Sequence, residues 1–509
     1  MSTHQCTHDT LFRCVSSLVF LCYSLSLGGA EKPNIVIFLV DDMGLMDTSV
    51  PMLVDAEGNP AKHPLNDIYI TPNMETLASR GIRFSRFYAH SVCSPSRVSL
   101  LTGQNSARHR VTQWISPNKR NQGKFDPPEW NWAGLNASSV TLPRVLQNNG
   151  YQTIHVGKAH FGPHKHVGSD PLQLGFDVNI AGNALGLPGS YLGKNNFTGS
   201  NGKHPIPHLE EYHGSDTHLS DALTFEAIKQ VEKTIQEDKP FFLHLSHYAA
   251  HGPFEEDPRF AENYKDNIAK VKPRNFATLI EGMDKSLGDL LNALETLGVA
   301  EETLIFFMGD NGSASPIGGN HAIGSSAPLR GKKSNHYEGG MRVPFIASWA
   351  KPVQDSALQS RLPIKSGEIQ TQMGAIMDIF PTIIELVGLE KVNDHFVDGQ
   401  SLSRLLDGSK DSSRHEIFLN HYPHAHKSSY FTSYCSGNWK LIYHYIPENG
   451  YGGHYELFDL RNDPEESQNL AKDYPEKLTQ MIQEMSQQLA EKDALFPVQS
   501  GESLSIKFP

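Results

Sequence analysis

Apolar and polar positions along this chain follow two alternating rhythms. "PNIVIFLVDD" (33–42) is an unbroken β-branched and apolar run closing on two carboxylates, the pattern of a strand buried on both faces. "SDALTFEAIKQVEKTIQ" instead repeats Leu223, Ala227, Val231 and Ile235 at helical spacing. "KPFFLHLSHYAAH" reads as a second buried strand, "FATLIEGMDKSLGDLLNALETLG" as an amphipathic helix, and "TLIFFMGDNG" as a third strand. Strands alternating with helices over this length predict an α/β fold, a large, mostly parallel sheet flanked by helices. Ligands of such sheets gather at the carboxyl ends of strands. Asp41, Asp42, His251, Asp310 and Asn311 all fall there.

The rhythm changes after "MDIFPTIIELVG". A polar, turn-rich stretch around 398–415 reads as a linker, followed by short antiparallel strands in "EIFLNHY", "YFTSYCSGNWKLIYHY" and "YELFDL". A closing helix, "PEKLTQMIQEMSQQLAEK", packs back on them. This divides the mature chain into a large domain, 31–400, and a smaller C-terminal α+β domain, 401–509. The glycine-rich piece from Ala181 to Gly202 reads as a long surface loop over a cleft. At the N-terminus, Arg13 precedes the apolar "VSSLVFLCYSLSL" and the small residues "GGA", a cleavable signal peptide over 1–30. The chain is therefore expected to be secreted or periplasmic. No other run approaches about 20 apolar residues, so no transmembrane segment is expected.

Composition narrows the partners. With 38% hydrophobic and 20% charged residues the chain is an ordinary globular protein. Its net charge of −12 argues against nucleic acid as a partner, while leaving room for a locally cationic site that takes an anion. Of five cysteines, Cys6, Cys14 and Cys22 lie in the leader, so only Cys93 and Cys435 remain afterwards. They either pair with each other or leave Cys93 for chemistry. Asp41–Asp42 and Asp310–Asn311 close two strands far apart in sequence. Adjacent carboxylates repel unless a cation sits between them, and an all-oxygen donor set suits Ca²⁺ or Mg²⁺. Turn residues capping two strands are the other reading of the same pairs.

"CSPSRVSLLTG" (93–103) resembles the signature of the formylglycine-dependent sulfatases, arylsulfatase-like members of the alkaline phosphatase superfamily. "PNIVIFLVDDMG", "GYQTIHVGKAHFG", "HYAAHGPF", "GDNG" and "LRGKKSNHYEGGMRVP" resemble further segments of that family, with Ala159 standing where a tryptophan is common. The resemblance implies an alkaline-phosphatase-like fold with a large mixed, mostly parallel sheet, and a Cys93 oxidised to formylglycine (3-oxoalanine) by a maturation enzyme. It implies a Ca²⁺ held by Asp41, Asp42, Asp310, Asn311 and residue 93, with Arg97 and Lys158 stabilising the formylglycine hydrate and the metal pocket. His160 would bind the second hydroxyl of the hydrate and take its proton as sulfate leaves. Lys333, which has the family spacing to "YEGG" where Lys332 does not, would grip the sulfate, and His251 would lie near the bridging oxygen.

Sulfuryl transfer needs a nucleophile, cations around the sulfonate and an acid for the leaving oxygen, and this set supplies each. The expected function is a secreted sulfatase acting on sulfate monoesters of a sulfated carbohydrate. The alternatives are a phosphonate or phosphodiester hydrolase of the same superfamily and an unmodified, non-catalytic binder of sulfated glycans. "HKH" (164–166) and "HYPHAH" (421–426) match no zinc spacing and read as loops, with cleft lining as their other role.

Overall fold

Eight strands form the principal sheet of the computed structural model, which describes residues 32–389, 392, 394–447 and 453–508. They are β1 (Asn34–Val40), β2 (Ile82–Phe84), β3 (Gln152–Gly157), β4 (Val178–Ile180), β5 (Phe241–His247), β6 (Thr303–Gly309), β7 (Phe345–Trp349) and β8 (Ile369–Gln370). Their order across the sheet is β8-β2-β7-β6-β1-β5-β3-β4. The centre is parallel, β1 pairing with β5 and β6, and β3 with β5 and β4. Only β7 runs against its neighbours β2 and β6. The sheet is thus mostly parallel, as the alternating pattern predicts, and mixed through β7, as the resemblance implies.

Helices α1 (Cys93–Thr102), α2 (Leu219–Gln236), α3 (Val271–Thr296) and α4 (Ile379–Leu386) cover the two faces. Alternate residues of β1 show how. Val36, Phe38 and Val40 share a core with Leu223, Ala227 and Val231 of α2 and Met283 and Leu287 of α3. Ile35, Ile37 and Leu39 face the other way, into a core with Val98 and Leu101 of α1 and Ile379 and Ile383 of α4. Burial on both faces is why β1, β5 and β6 are buried at every position.

Register then positions the chemistry. Val40 lies opposite both Gly309 and His247, so Asp41 and Asp310 leave the sheet side by side. Gly157 pairs with Ser246 on the next strand pair. Its φ is 105°, and a Cβ there would stand 1.9 Å from the Ser246 carbonyl oxygen. Only glycine fits, and the approach lets Lys158 N donate to that oxygen at 2.8 Å.

The C-terminal part is a four-stranded antiparallel sheet, β9 (Ile417–Ala425), β10 (Ser429–Ser436), β11 (Trp439–His444) and β12 (Tyr455–Asp459), in that order. Helix α5 (Pro475–Glu491) lays Leu478, Met481, Ile482 and Met485 on Leu441, Tyr443 and Leu457. The described residues from Pro33 onward form one compact unit. The stretch around 398–415 is pinned at both ends: Asp398 accepts from Arg108 at 2.8 Å, and Arg414 pairs with Asp378. Lys440 of β11 is fully buried between Glu338, at 3.0 Å, and Glu466, at 2.6 Å. Residues 1–30, the expected signal peptide, lie outside the described residues. Among the described residues no helix is long and apolar enough to cross a membrane.

Candidate active site

The carboxyl ends of β1 and β6 bring Asp41, Asp42 and Asp310 together, one oxygen of each lying within 4.8 Å of the others. All three are buried, as is Asn311. Asp42 adopts φ 62°, in the left-handed region, and its backbone N donates to Asp310 Oδ1 at 3.0 Å. Asn311 uses Nδ2 on Asp42 Oδ1 (2.9 Å) and on the Gly312 carbonyl (3.0 Å), which leaves its Oδ1 as an acceptor.

Three cations brace this cluster. Lys158 Nζ stands 2.5 Å from Asp41 Oδ2, and Lys333 Nζ 2.5 Å from Asp42 Oδ1. Arg97, wholly buried, donates from Nε to Asp310 Oδ2 at 2.8 Å, and from Nη1 to Ser246 Oγ at 2.7 Å and the Lys158 carbonyl at 2.9 Å. Burial pushes the Asp41 and Asp310 carboxyls up to about 6. Burial also acts upward on Asp42, but Lys333, His251 and Lys158 outweigh it and hold that carboxyl below the usual range. For Lys333, burial acts downward, yet Asp42 wins and its pKa is raised.

The donor set fits a hard divalent cation. Asp41 Oδ1 and Asn311 Oδ1 are buried with no hydrogen-bond partner, an expensive arrangement for protein alone. Three carboxylates and an amide oxygen match Ca²⁺ or Mg²⁺ and offer nothing to a soft metal.

Cys93 opens helix α1, preceded by an extended Val92. Its Sγ lies 3.4 Å from His160 Nδ1, and Ser94 Oγ lies 3.3 Å from the same nitrogen. His160 Nε2–H donates to the Ile115 carbonyl at 2.7 Å, which assigns the lone pair to Nδ1, facing residue 93. Burial, and then Lys158, hold the pKa of His160 well below its ordinary value, so the ring is neutral.

The stretch from Ala181 to Gly202 borders the cleft as expected, through Leu185, Gly186 and Leu187, and is exposed at 194–196 and 200–202, but elsewhere it corrects the expected surface loop. Ala181, Ala184, Leu185, Tyr191 and Phe197 are buried. Glycine is the physical reason: a Cβ on Gly186 would stand 2.6 Å from His160 Cε1, so the segment packs directly on that ring. Composition suggested flexibility, and the glycines instead serve close approach.

His251 donates from Nδ1 to the Gly252 carbonyl at 2.9 Å and turns Nε2 toward Asp42 Oδ2, 3.6 Å away. Burial, then Lys333, push it down to about 3. Asp42, Cys93, His160, His251 and Lys333 line a cavity of about 660 Å³. Asp41, Arg97, Lys158, Asp310 and Asn311 are outside its lining, fully buried behind those groups.

Sequence reasoning did not single out Trp114, His204, Phe254 or Lys427, which line the same cavity. They come from loops, which carry no periodic signal. The "HYPHAH" stretch is a further correction: residues 421–425 belong to β9, with His421 and His424 buried. Pro423 hid the strand, and the β9–β10 register shifts between Tyr422 and Ala425 to accommodate it. His426, just beyond, lines the cavity. Cys93 and Cys435 are both free thiols, so the disulfide alternative does not hold.

Comparison with known proteins identifies the family. A family model described as Sulfatase matches residues 33–389, and one described as N-sulphoglucosamine sulphohydrolase, C-terminal, matches 332–494. N-acetylgalactosamine-6-sulfatase of Mus musculus is 30% identical over 395 residues, covering 74% of this chain and 67% of its own. Steryl-sulfatase of Homo sapiens is 26% identical over 546 residues, covering 88% of this chain and 86% of its own. Among solved structures, Ps i-CgsB shares the fold at a TM-score of 0.69 with 23% identity, covering 93% of this chain and 95% of its own. With the family match running from β1 through α4, this chain belongs to the sulfatase family of the alkaline phosphatase superfamily and is a sulfuric ester hydrolase.

Proposed function

We propose that the enzyme releases inorganic sulfate from sulfate monoesters of a sulfated carbohydrate outside the cytoplasm, with Cys93 converted to formylglycine and Ca²⁺ as its metal. The observation that carries this is the placement of Cys93 Sγ 3.4 Å from the basic nitrogen of a neutral His160, in a cavity that also holds Lys333. Support for the substrate class comes from the mouse relative, whose name specifies a sulfated amino sugar. The leader read over residues 1–30 supports export. Cys93 is buried, so the maturation enzyme would need to reach it before the chain folds.

Converted to an aldehyde hydrate, residue 93 would supply two hydroxyls, one to attack sulfur and one to assist sulfate release. Ca²⁺, held by Asp41, Asp42, Asp310, Asn311 and residue 93, would supply Lewis-acid neutralisation of the sulfonate. The chain's own groups do the rest. Lys333 binds the sulfate oxygens, and the N-terminus of α1 adds its dipole at the same point. Arg97 and Lys158 hold the carboxylates in place. His160 Nδ1 accepts the proton of the second hydroxyl, its tautomer fixed through Ile115. His251 delivers a proton to the leaving oxygen through Nε2. The bound sulfate offsets the Lys333 charge, the second cause that depresses His251 after burial, and acid catalysis requires His251 to take up its proton together with the substrate.

The test is sulfate release from a panel of defined sulfated saccharides, alongside matched phosphate and phosphonate esters, by protein made in a modifying host. Cys93→Ala should release none while folding normally, because a methyl group is no nucleophile. Preferred turnover of the phosphorus esters, or substantial activity in the alanine variant, would overturn the proposal.

A further inference from the structure

The catalytic cavity has a neighbour. Asn118, Leu185 and His204 line it and also line a second cavity of about 860 Å³, so the two spaces share a rim. The second cavity draws its other walls from His164 of the "HKH" stretch and from Asn183, Lys203 and His213. Nothing in the chemistry described above uses these side chains.

Side chains able to donate to an anion gather around the second cavity. Lys203 and Glu210 are its charged side chains, and His164, His204 and His213 add ring nitrogens able to donate hydrogen bonds to an anion. Glu210 accepts from His208 N at 3.2 Å, stays ionised, and shares its charge with His213, which leaves Lys203, without an ion pair among the described residues, as the cation to meet an anion. The walls also suit a sugar ring: Leu185, Pro205 and Ile206 give apolar surface, and Asn118, Asn183 and Thr198 give hydrogen-bonding groups.

The wall is built rather than loose. Gly199 N donates to the Lys203 carbonyl at 2.8 Å, and Gly189 N to the His204 carbonyl at 2.9 Å, which ties the 199–204 turn to the segment that packs on His160. A Cβ on Gly189 would stand 2.1 Å from Gly199 N, so the two strands of chain touch as closely as backbone can. A subsite held this way does not need to be ordered by its ligand.

We propose that the second cavity binds the sugar unit next to the one being desulfated, and that Lys203 and His213 select a neighbour carrying an anionic group, a sulfate ester or a uronate carboxylate. The proposal rests on the reading of the first cavity as the sulfate-cleaving site. It makes the enzyme one for anionic oligosaccharides rather than for isolated sulfated monosaccharides.

The experiment compares kcat/KM for wild type and for Lys203→Ala/His213→Ala on substrates sharing the scissile sulfate. These are 4-nitrophenyl sulfate, a disaccharide with a neutral neighbour, and disaccharides with a sulfated or a uronate neighbour. The double variant should lose roughly tenfold on the anionic-neighbour substrates, the size of a lost hydrogen bond to a charged group, and the loss should shrink as salt is raised. Nitrophenyl sulfate and the neutral disaccharide should change by less than about twofold, since exposed charges contribute little to contacts they do not make. The larger of the two anionic losses identifies the preferred group, and Lys203→Arg should keep most of it. Equal losses on every substrate, or none on any, would overturn the subsite. Wild type that releases no sulfate at all overturns the sulfatase reading instead; calorimetric binding of the same disaccharides to wild type and double variant then decides the second cavity independently.

Discussion

Replacing His251 by alanine separates proton delivery from sulfate binding. The imidazole gives up one hydrogen bond, Nδ1–H to the Gly252 carbonyl at 2.9 Å, and its 3.6 Å approach to Asp42. Losing the first costs about 1 kcal/mol of local order, roughly fivefold, and falls on every substrate alike. Losing the proton falls only where the leaving group needs one. A sugar alkoxide is a strong base and needs it, whereas a nitrophenolate is stable unprotonated. General acid catalysis contributes roughly 10²–10⁴-fold, or about 2.7–5.4 kcal/mol at 1.36 kcal/mol per decade. Because the common loss cancels in a ratio, the quotient of kcat/KM on a sugar sulfate to kcat/KM on an aryl sulfate should fall by about two decades or more. The assay is sulfate release from one substrate of each kind by wild type and His251→Ala. Equal losses on both would refute the assignment, make His251 a sulfate-binding group, and require another donor.

Three other perturbations test separate parts of the site. Lys333→Ala should lower kcat/KM by about 10–150-fold on aryl and sugar sulfates alike, since a charged hydrogen bond to the sulfate is independent of the leaving group; a loss confined to sugar sulfates would make Lys333 the acid. Thorough chelation should abolish activity, and Ca²⁺ should restore it better than Zn²⁺, as oxygen-only donors dictate; full activity in protein shown metal-free by elemental analysis would contradict the metal. Lys440→Met should cost about 1–3 kcal/mol in denaturant unfolding, because it leaves buried Glu466 without its cation, while Glu338 keeps Arg342 at 3.6 Å and the Tyr88 hydroxyl at 2.7 Å. An unchanged midpoint would show that Glu466 does not need its cation.

The sequence made the centre of the molecule legible and its walls obscure, for one reason. Strands such as β1 and β6 are buried on both faces, so nothing but apolar residues fits until the chain emerges, and Asp41, Asp42, Asp310 and Asn311 mark the emergence. Side chains set by strand ends therefore announce themselves. His204 and Lys427 enter the cavity from irregular segments, where position depends on tertiary contacts with no period to read. Glycine misleads in the same way. At Gly186 it marks contact with His160 rather than looseness, and only the three-dimensional neighbour distinguishes the two. The α3 helix shows a milder case. Its pattern is clear from Phe276 onward, while the structure begins it at Val271, in a polar first turn without apolar repeat.

Mass mapping of the peptide containing residue 93 tests the central claim most directly. Protein from a host with the maturation enzyme should yield that peptide about 18 Da lighter than its cysteine form, by the exchange of a thiol for an aldehyde on the same carbon. The extent of this conversion should track the specific activity of each preparation. Fully active enzyme with an unmodified Cys93 would contradict the account.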